Sequence, residues 1–164
     1  MSRFWLDANV LIEANNRSYP INRAVTFWSR LAEQVELGSI ACTRRVYKEV
    51  AEHEQHQDAV ANWIRVRKDK LRITPPRDVQ KLVGEIGQYL FNNTQYDVAE
   101  TWAFCRGGDP WVVAHAKIDN GVVVTHESAL RPQAKKPRVP DVCRHFEVQC
   151  VDVLRMFELL DITF

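Results

Sequence analysis

Three consecutive valines, Val122-Val123-Val124, set the tightest limit on how this chain can fold. They stand between Asn120-Gly121, a pair suited to stopping a helix, and Thr125-His126-Glu127. A β-branched run with no polar alternation reads as a strand buried on both faces. Strands of that kind belong to parallel sheets covered by helices on each side. Phe4-Trp5-Leu6 is a second apolar run, and it ends at Asp7. Ser39 to Cys42 and Val148 to Val151 are two further strand candidates.

Helical patterns fill the intervals. Asp7-Ala8-Asn9 opens a helix with Val10, Leu11 and Ala14 on one side. Asn15 to Tyr19 reads as a polar loop, and Pro20 as the start of the next helix, where its missing N–H costs nothing. Val25, Trp28, Leu31, Ala32 and Val35 repeat at helical spacing before Gly38. Thr43 can cap a helix carrying Val46, Tyr47, Val50 and Ala51. Asp58 to Arg67, Asp78 to Phe91 and Tyr96 to Cys105 read as helical, with Thr74-Pro75-Pro76 as a break. Asp109 can cap a helix from Pro110 to Asn120. Arg131 to Arg138 is a basic, proline-broken loop, followed by a short helix from Val139 to Phe146 and a last one to about Leu160. Strands alternating with helices predict an α/β fold: three α/β/α layers, a central parallel sheet of four to five strands and right-handed crossovers. One domain over residues 1–164 suits this length.

In such a sheet, sites form at the carboxyl ends of the strands. Asp7 ends the first strand and Glu127 lies just past the valine strand. Asp109 begins the helix that precedes that strand, and Glu49 lies on the helix after the second strand. The topology can gather all four on one edge. Each alone has a plain explanation: Asp7 and Asp109 as helix caps, Glu127 as a loop residue, Glu49 as part of a solvated face shared with Glu52 and Glu54. Together they would repel one another and raise each other's pKa, a conflict that a bound divalent cation removes. Hard oxygen donors suit Mg2+ or Mn2+ rather than zinc. A pair of such ions would fit phosphodiester cleavage.

These residues resemble the PIN-domain nucleases. The resemblance begins at Phe4-Trp5-Leu6-Asp7-Ala8-Asn9-Val10 and continues at Val46-Tyr47-Lys48-Glu49-Val50. Its third part is Gly108-Asp109-Pro110-Trp111-Val112-Val113-Ala114-His115-Ala116, and its fourth is Val122-Val123-Val124-Thr125-His126-Glu127. The opening Asp-Ala-Asn-Val-Leu-Ile-Glu and the closing Val139-Pro140-Asp141-Val142-Cys143 look like a less characterised PIN-like branch. Glu127 stands where that family more often has Asp, so its carboxylate reaches further. The resemblance implies a Mg2+- or Mn2+-dependent ribonuclease with Asp7, Glu49, Asp109 and Glu127 as metal ligands or water-orienting acids. It makes Asn9 and Thr125 the hydrogen-bond partners that fix those carboxylates. Many such domains resemble toxins of toxin–antitoxin pairs, so a protein antitoxin and a homodimer are expected partners.

Charge says where RNA would have to bind. The chain holds 22 Lys and Arg against 21 Asp and Glu, a net charge of +1. That balance gives no whole-molecule attraction to nucleic acid or membrane, so RNA needs a local basic surface. Arg44 and Arg45 follow the second strand and belong to the site edge. Arg131, Lys135, Lys136 and Arg138 form a possible backbone clamp. A second cluster, Arg65, Arg67, Lys68, Lys70 and Arg72, reads as a solvated helix end unless it faces the acids. Tyr47 and Trp111 could stack on bases but fit packing better.

Other classes fit less well. His53-Glu54-Gln55-His56 is one residue short of the helical zinc-protease spacing. A haloacid-dehalogenase-like phosphatase would need an acid where Asn9 stands. A PIN-like domain that binds RNA or protein without cutting would not need all four acids. None of Cys42, Cys105, Cys143 and Cys150 forms a C-x-x-C pair. With no export signal and no apolar run of membrane-spanning length, a cytoplasmic chain with reduced thiols is expected.

Overall fold

A computed structural model describes residues 2–52, 59–127 and 130–163. Its sheet contains β1 (Phe4–Leu6), β2 (Ile40–Thr43), β3 (Arg72–Ile73), β4 (Val122–Val124) and β5 (Gln149–Val151). All neighbouring pairs are parallel, in the order β3-β2-β1-β4-β5. The chain therefore works outward from β1 in one direction and then crosses to the other side. The reversal falls between β1 and β4, the switch point where α/β sheets open a crevice.

The three inner strands are fully buried, as their unbroken apolar runs require. The edge strands β3 and β5 are only partly buried. Register runs Phe4 beside Ile40 and Val122, and Leu6 beside Val124. Pairing continues one step past the strands: the Asp7 N–H donates to the Val124 carbonyl at 3.0 Å, and the Thr125 N–H to the Val151 carbonyl at 3.0 Å. Asp7 and Thr125 are thus held side by side by backbone geometry.

The helices form two groups. α8 (Asp109–Asp119) packs against β1, β2 and β4, with α6 (Arg77–Asn92), α7 (Val98–Arg106) and α9 (Val139–His145) on it. The other group is α1 (Ala8–Glu13), α2 (Val25–Glu36), α3 (Arg44–Glu52), α4 (Ala59–Arg65) and α5 (Lys68–Leu71). It packs on β2 and on itself. α10 (Val153–Leu159) joins that second group through Phe157, whose ring lies 5.3 Å from that of Phe27. The result is the PIN-like α/β/α arrangement, with five strands. No helix among the described residues is long and apolar enough to cross a membrane.

Several boundaries differ from the sequence expectation. Asn15 to Tyr19 is not a loop: Ala14–Ser18 forms a wider helical turn, closed by the Tyr19 N–H on the Ala14 carbonyl at 2.6 Å. An Arg17–Glu13 ion pair at 2.8 Å and the Asn15 carboxamide, accepting from the Ile21 N–H at 2.9 Å, hold that turn. Pro20 begins a tight turn instead of a helix, because the Arg23 and Ala24 N–H groups both bond its carbonyl. Helix α2 starts only at Val25. The edge strand β3 has two residues and no periodicity from which it could be read. Thr43 does cap α3: its Oγ1 accepts from the Val46 N–H at 3.0 Å. Asn120 takes the left-handed conformation, φ 51°, that ends α8. His53-Glu54-Gln55-His56 lies outside the described residues.

Candidate acidic site at the sheet switch point

Asp7 is almost wholly buried, only 2% exposed, yet it makes no capping bond to α1. Its Oδ2 accepts from the Thr125 hydroxyl at 3.1 Å. Burial pushes its carboxyl above the ordinary range, and the Thr125 hydroxyl pulls the other way. The charge of Glu127 raises it further, and the Asn9 and Ala8 amides oppose that rise. A buried acid on the carboxyl end of a central strand, with no basic partner, is unusual for a structural residue.

Asp109 supplies the second carboxylate. It does not cap α8: Gly108 occupies the N-cap and Asp109 is the first helical residue, with Pro110 following. Freed from capping, its carboxyl faces Asp7, close enough for the two acids to act on each other directly. Burial, then the charges of Asp7, Glu127 and Glu49, hold Asp109 up at about 8.

Glu49 and Glu127 complete the cluster from opposite sides. Glu49 lies on the exposed face of α3, and its Oε1 reaches across to the start of α8. A Cβ at Gly108 would stand 3.0 Å from that oxygen and 3.1 Å from Val46 Cγ2. Glycine at 108 is what lets α3 and its acid approach Asp109. Glu127 turns toward α9, where its Oε2 accepts from the Val139 N–H at 2.9 Å. Its own N–H donates to Thr125 Oγ1 at 3.2 Å. Thr125 thereby touches two of the four acids.

Asn9 is exposed and lines a cavity of about 570 Å3 beside the acids, with Thr125 and Glu127. Arg131 and Arg138 line the same cavity, and Arg138 leaves its Nε buried without a hydrogen-bond partner. Arg17, a residue that sequence reasoning missed, joins them there. No sequence spacing marks Arg17; only the wide turn after α1 brings it round. Lys135 and Lys136 are exposed elsewhere on the loop, where the Lys135 carbonyl accepts from the Asp97 N–H at 2.8 Å. Arg44 and Arg45 open α3 and border a different cavity. His126 sits exposed with its Nε2 3.3 Å from the Val10 carbonyl.

Four carboxylates offer hard oxygen donors of the kind Mg2+ and Mn2+ prefer. Among the described residues no three His, Cys, Asp or Glu side chains already form a ligating cage. Burial and crowding instead raise Asp7 and Asp109 alike, and the bond to α9 draws Glu127 aside. Their conflict is of the sort a divalent cation relieves, so the donor set fits the ion that the sequence pattern implies.

A family model described as "Domain of unknown function (DUF4411)" matches residues 4–164. No curated protein matches the chain. Two solved structures share its fold. VapBC2 from Rickettsia felis, bound to a DNA fragment from its promoter, superposes with a TM-score of 0.55 at 14% identity. That match covers 91% of this chain and 97% of the other. VapBC-1 from nontypeable Haemophilus influenzae gives 0.54 at 17% identity, covering 91% and 96%.

Proposed function

This chain belongs to the family of unknown function DUF4411, and we propose that it is a metal-dependent endoribonuclease, the toxin of a toxin–antitoxin pair. The observation that carries the reading is the Asp7–Asp109 carboxyl pair at the switch point, within electrostatic reach of Glu49 and Glu127. Nothing in the packing of a PIN-like fold requires four acids there. The sequence resemblance to PIN-domain nucleases and the fold shared with the VapBC structures support the same conclusion.

Asp7, Asp109, Glu49 and Glu127 would hold Mg2+ or Mn2+. When bound, the cation neutralises the carboxylates and polarises the scissile phosphate and the attacking water. The protein's share is orientation. Thr125 fixes the Asp7 rotamer through its hydroxyl, and the Val139 N–H fixes Glu127. Asn9 stands on the wall of the approach cavity. Arg17, Arg131 and Arg138 supply positive charge beside it, where RNA phosphates would lie. The antitoxin would be a second protein that covers this edge, and a homodimer would follow the toxin pattern.

The test is cleavage of a mixed RNA pool with 5 mM-scale Mg2+ or Mn2+ and with chelator. Cutting that needs the metal and vanishes in Asp7→Asn is the expected result. Metal-independent cutting, or cutting by Asp7→Asn at the wild-type rate, removes the acidic site from the mechanism. Steady hydrolysis of a chromogenic phosphate ester with RNA untouched would point to a phosphatase instead.

A further inference from the structure

We propose that the basic cavity between α3, α5 and β3 is a second RNA-binding site, which holds the strand's phosphates after they leave the acidic edge. The inference rests on RNA being the substrate. Its basis is a cavity of about 590 Å3 lined by Arg44, Arg45, Lys48, Arg65, Lys68 and Arg72. Glu52 is the one acid among the described lining residues. Its pair with Lys48 is long, 4.0 Å, and both side chains are exposed, so it offsets little charge.

These cations come from separate parts of the chain. Arg44 and Arg45 follow β2, whereas Arg65, Lys68 and Arg72 lie some twenty residues on. Parallel pairing of Cys42 with Arg72 and Thr43 with Ile73 brings the two groups together. Six like charges around one cavity make a local positive field that favours an anion there. Packing does not demand it, since Lys68 is exposed and Arg44 is too.

Two features favour a nucleic-acid strand over an acidic peptide. Four of the six cations are arginines, whose planar forks match phosphate oxygens. Two of those arginines already lie over aromatic faces: Arg72 is 5.7 Å from the Tyr47 ring centre and Arg45 5.7 Å from that of Trp111. Arg65 is held in place by the Ala51 carbonyl and the Asn62 carboxamide. The cavity also neighbours the acidic edge along α3. Arg45 and Glu49 are one helical turn apart on α3, and Trp111 follows Asp109 by two residues. A strand held at the acids can therefore extend toward the cations.

The test uses the full chain carrying Asp7→Asn, so that RNA is bound without being cut. Affinities for single-stranded RNAs of about 6 and 18 nucleotides are measured across salt concentrations. Adding Lys68→Glu with Arg72→Gln should lower the salt slope for the long RNA by about 1.4, roughly 0.7 for each lost phosphate contact. The affinity gained by lengthening the RNA should shrink by about tenfold or more. If the double variant melts early, Lys68→Glu alone should still give half the slope change, because that side chain is exposed. Lys117→Glu, at the far end of α8, is the charge control. An equal loss in that control, or unchanged slopes in the cavity variants, overturns the proposal. Polyglutamate that displaces long RNA and loses affinity in the same variants overturns it in favour of a protein partner. Wild-type protein that cuts RNA while the slopes stay fixed discards the cavity and keeps the proposed nuclease. Wild-type protein that cuts nothing, yet binds long RNA through the cavity residues, does the reverse.

Discussion

The two ends of strand β1 handle buried polarity in opposite ways. At the amino end, Trp5 Nε1 donates to Asp119 Oδ2 at 3.0 Å, and Arg3 stands 3.9 Å from that oxygen and 5.6 Å from the Trp5 ring. His115 stacks on Trp5 with ring centres 4.4 Å apart, and burial pushes it down to about 4, so it is uncharged near neutrality. Acid, base and ring dipole cancel there. At the carboxyl end, three residues on, Asp7 meets Asp109, Glu49 and Glu127, and like charges add. An end whose charges cancel needs no counter-charge, although His115 Nε2 is left there without a hydrogen-bond partner. An end whose charges add asks for a ligand, and this contrast separates packing from function more clearly than burial does.

The largest expected effect breaks the carboxyl end. Asp7→Asn keeps the shape and the Thr125 contact but removes a charge. Cleavage should fall by about a thousandfold, near 4 kcal/mol in barrier, in a metal-supplemented RNA assay. The amino end should fail in a different currency. A Cβ at Gly121 would stand 2.5 Å from the Arg3 carbonyl oxygen and 2.9 Å from the Trp5 ring. Gly121→Ala should cost about 2–4 kcal/mol in denaturant unfolding, with the cleavage rate of the folded fraction preserved. A rate loss without a stability loss would erase the distinction between the two ends.

Proton linkage gives a smaller, signed effect. The Asp109 carboxyl is raised from 3.8 to about 8 on folding, so the native state binds the extra proton. Its stabilisation is full below pH 4 and drains away as pH rises through 8. In chelator, wild-type melting temperature should therefore fall between pH 5 and 8. Asp109→Asn should flatten that slope and leave the protein about 1–3 kcal/mol more stable than wild type at pH 8. Mg2+ should erase the difference. A wild-type curve that is flat without metal would mean the acids do not crowd one another. Least of all, Arg3→Gln should change stability by under about 1 kcal/mol, since the Arg3–Asp119 pair is more than a third exposed.

Much of this was legible in the chain. The valine run required a strand buried on both faces, and that required covering helices. Asp7 and Thr125 were readable as neighbours of a site because each ends an inner strand. Thr43 announced the start of α3 through a local capping bond. What misled was also local in appearance. Pro20 looked like a helix start, yet a tertiary turn claimed it; α8 does begin at Asp109, with Gly108 taking the cap expected of that acid. The contacts that decided these places lie outside any short window of sequence.

Sequence alone determined the layer type and which acids follow strand ends, because hydrophobic period and strand ends are properties of neighbouring residues. Only tertiary structure decided who touches whom. Asp7 and Asp109 are 102 positions apart, and the reversal between β1 and β4 brings them face to face. Parallel pairing of β2 with β3 fused two unrelated basic clusters into one cavity. Charge acts through space, at range, and no pattern along the chain records which distant charges a fold will bring together.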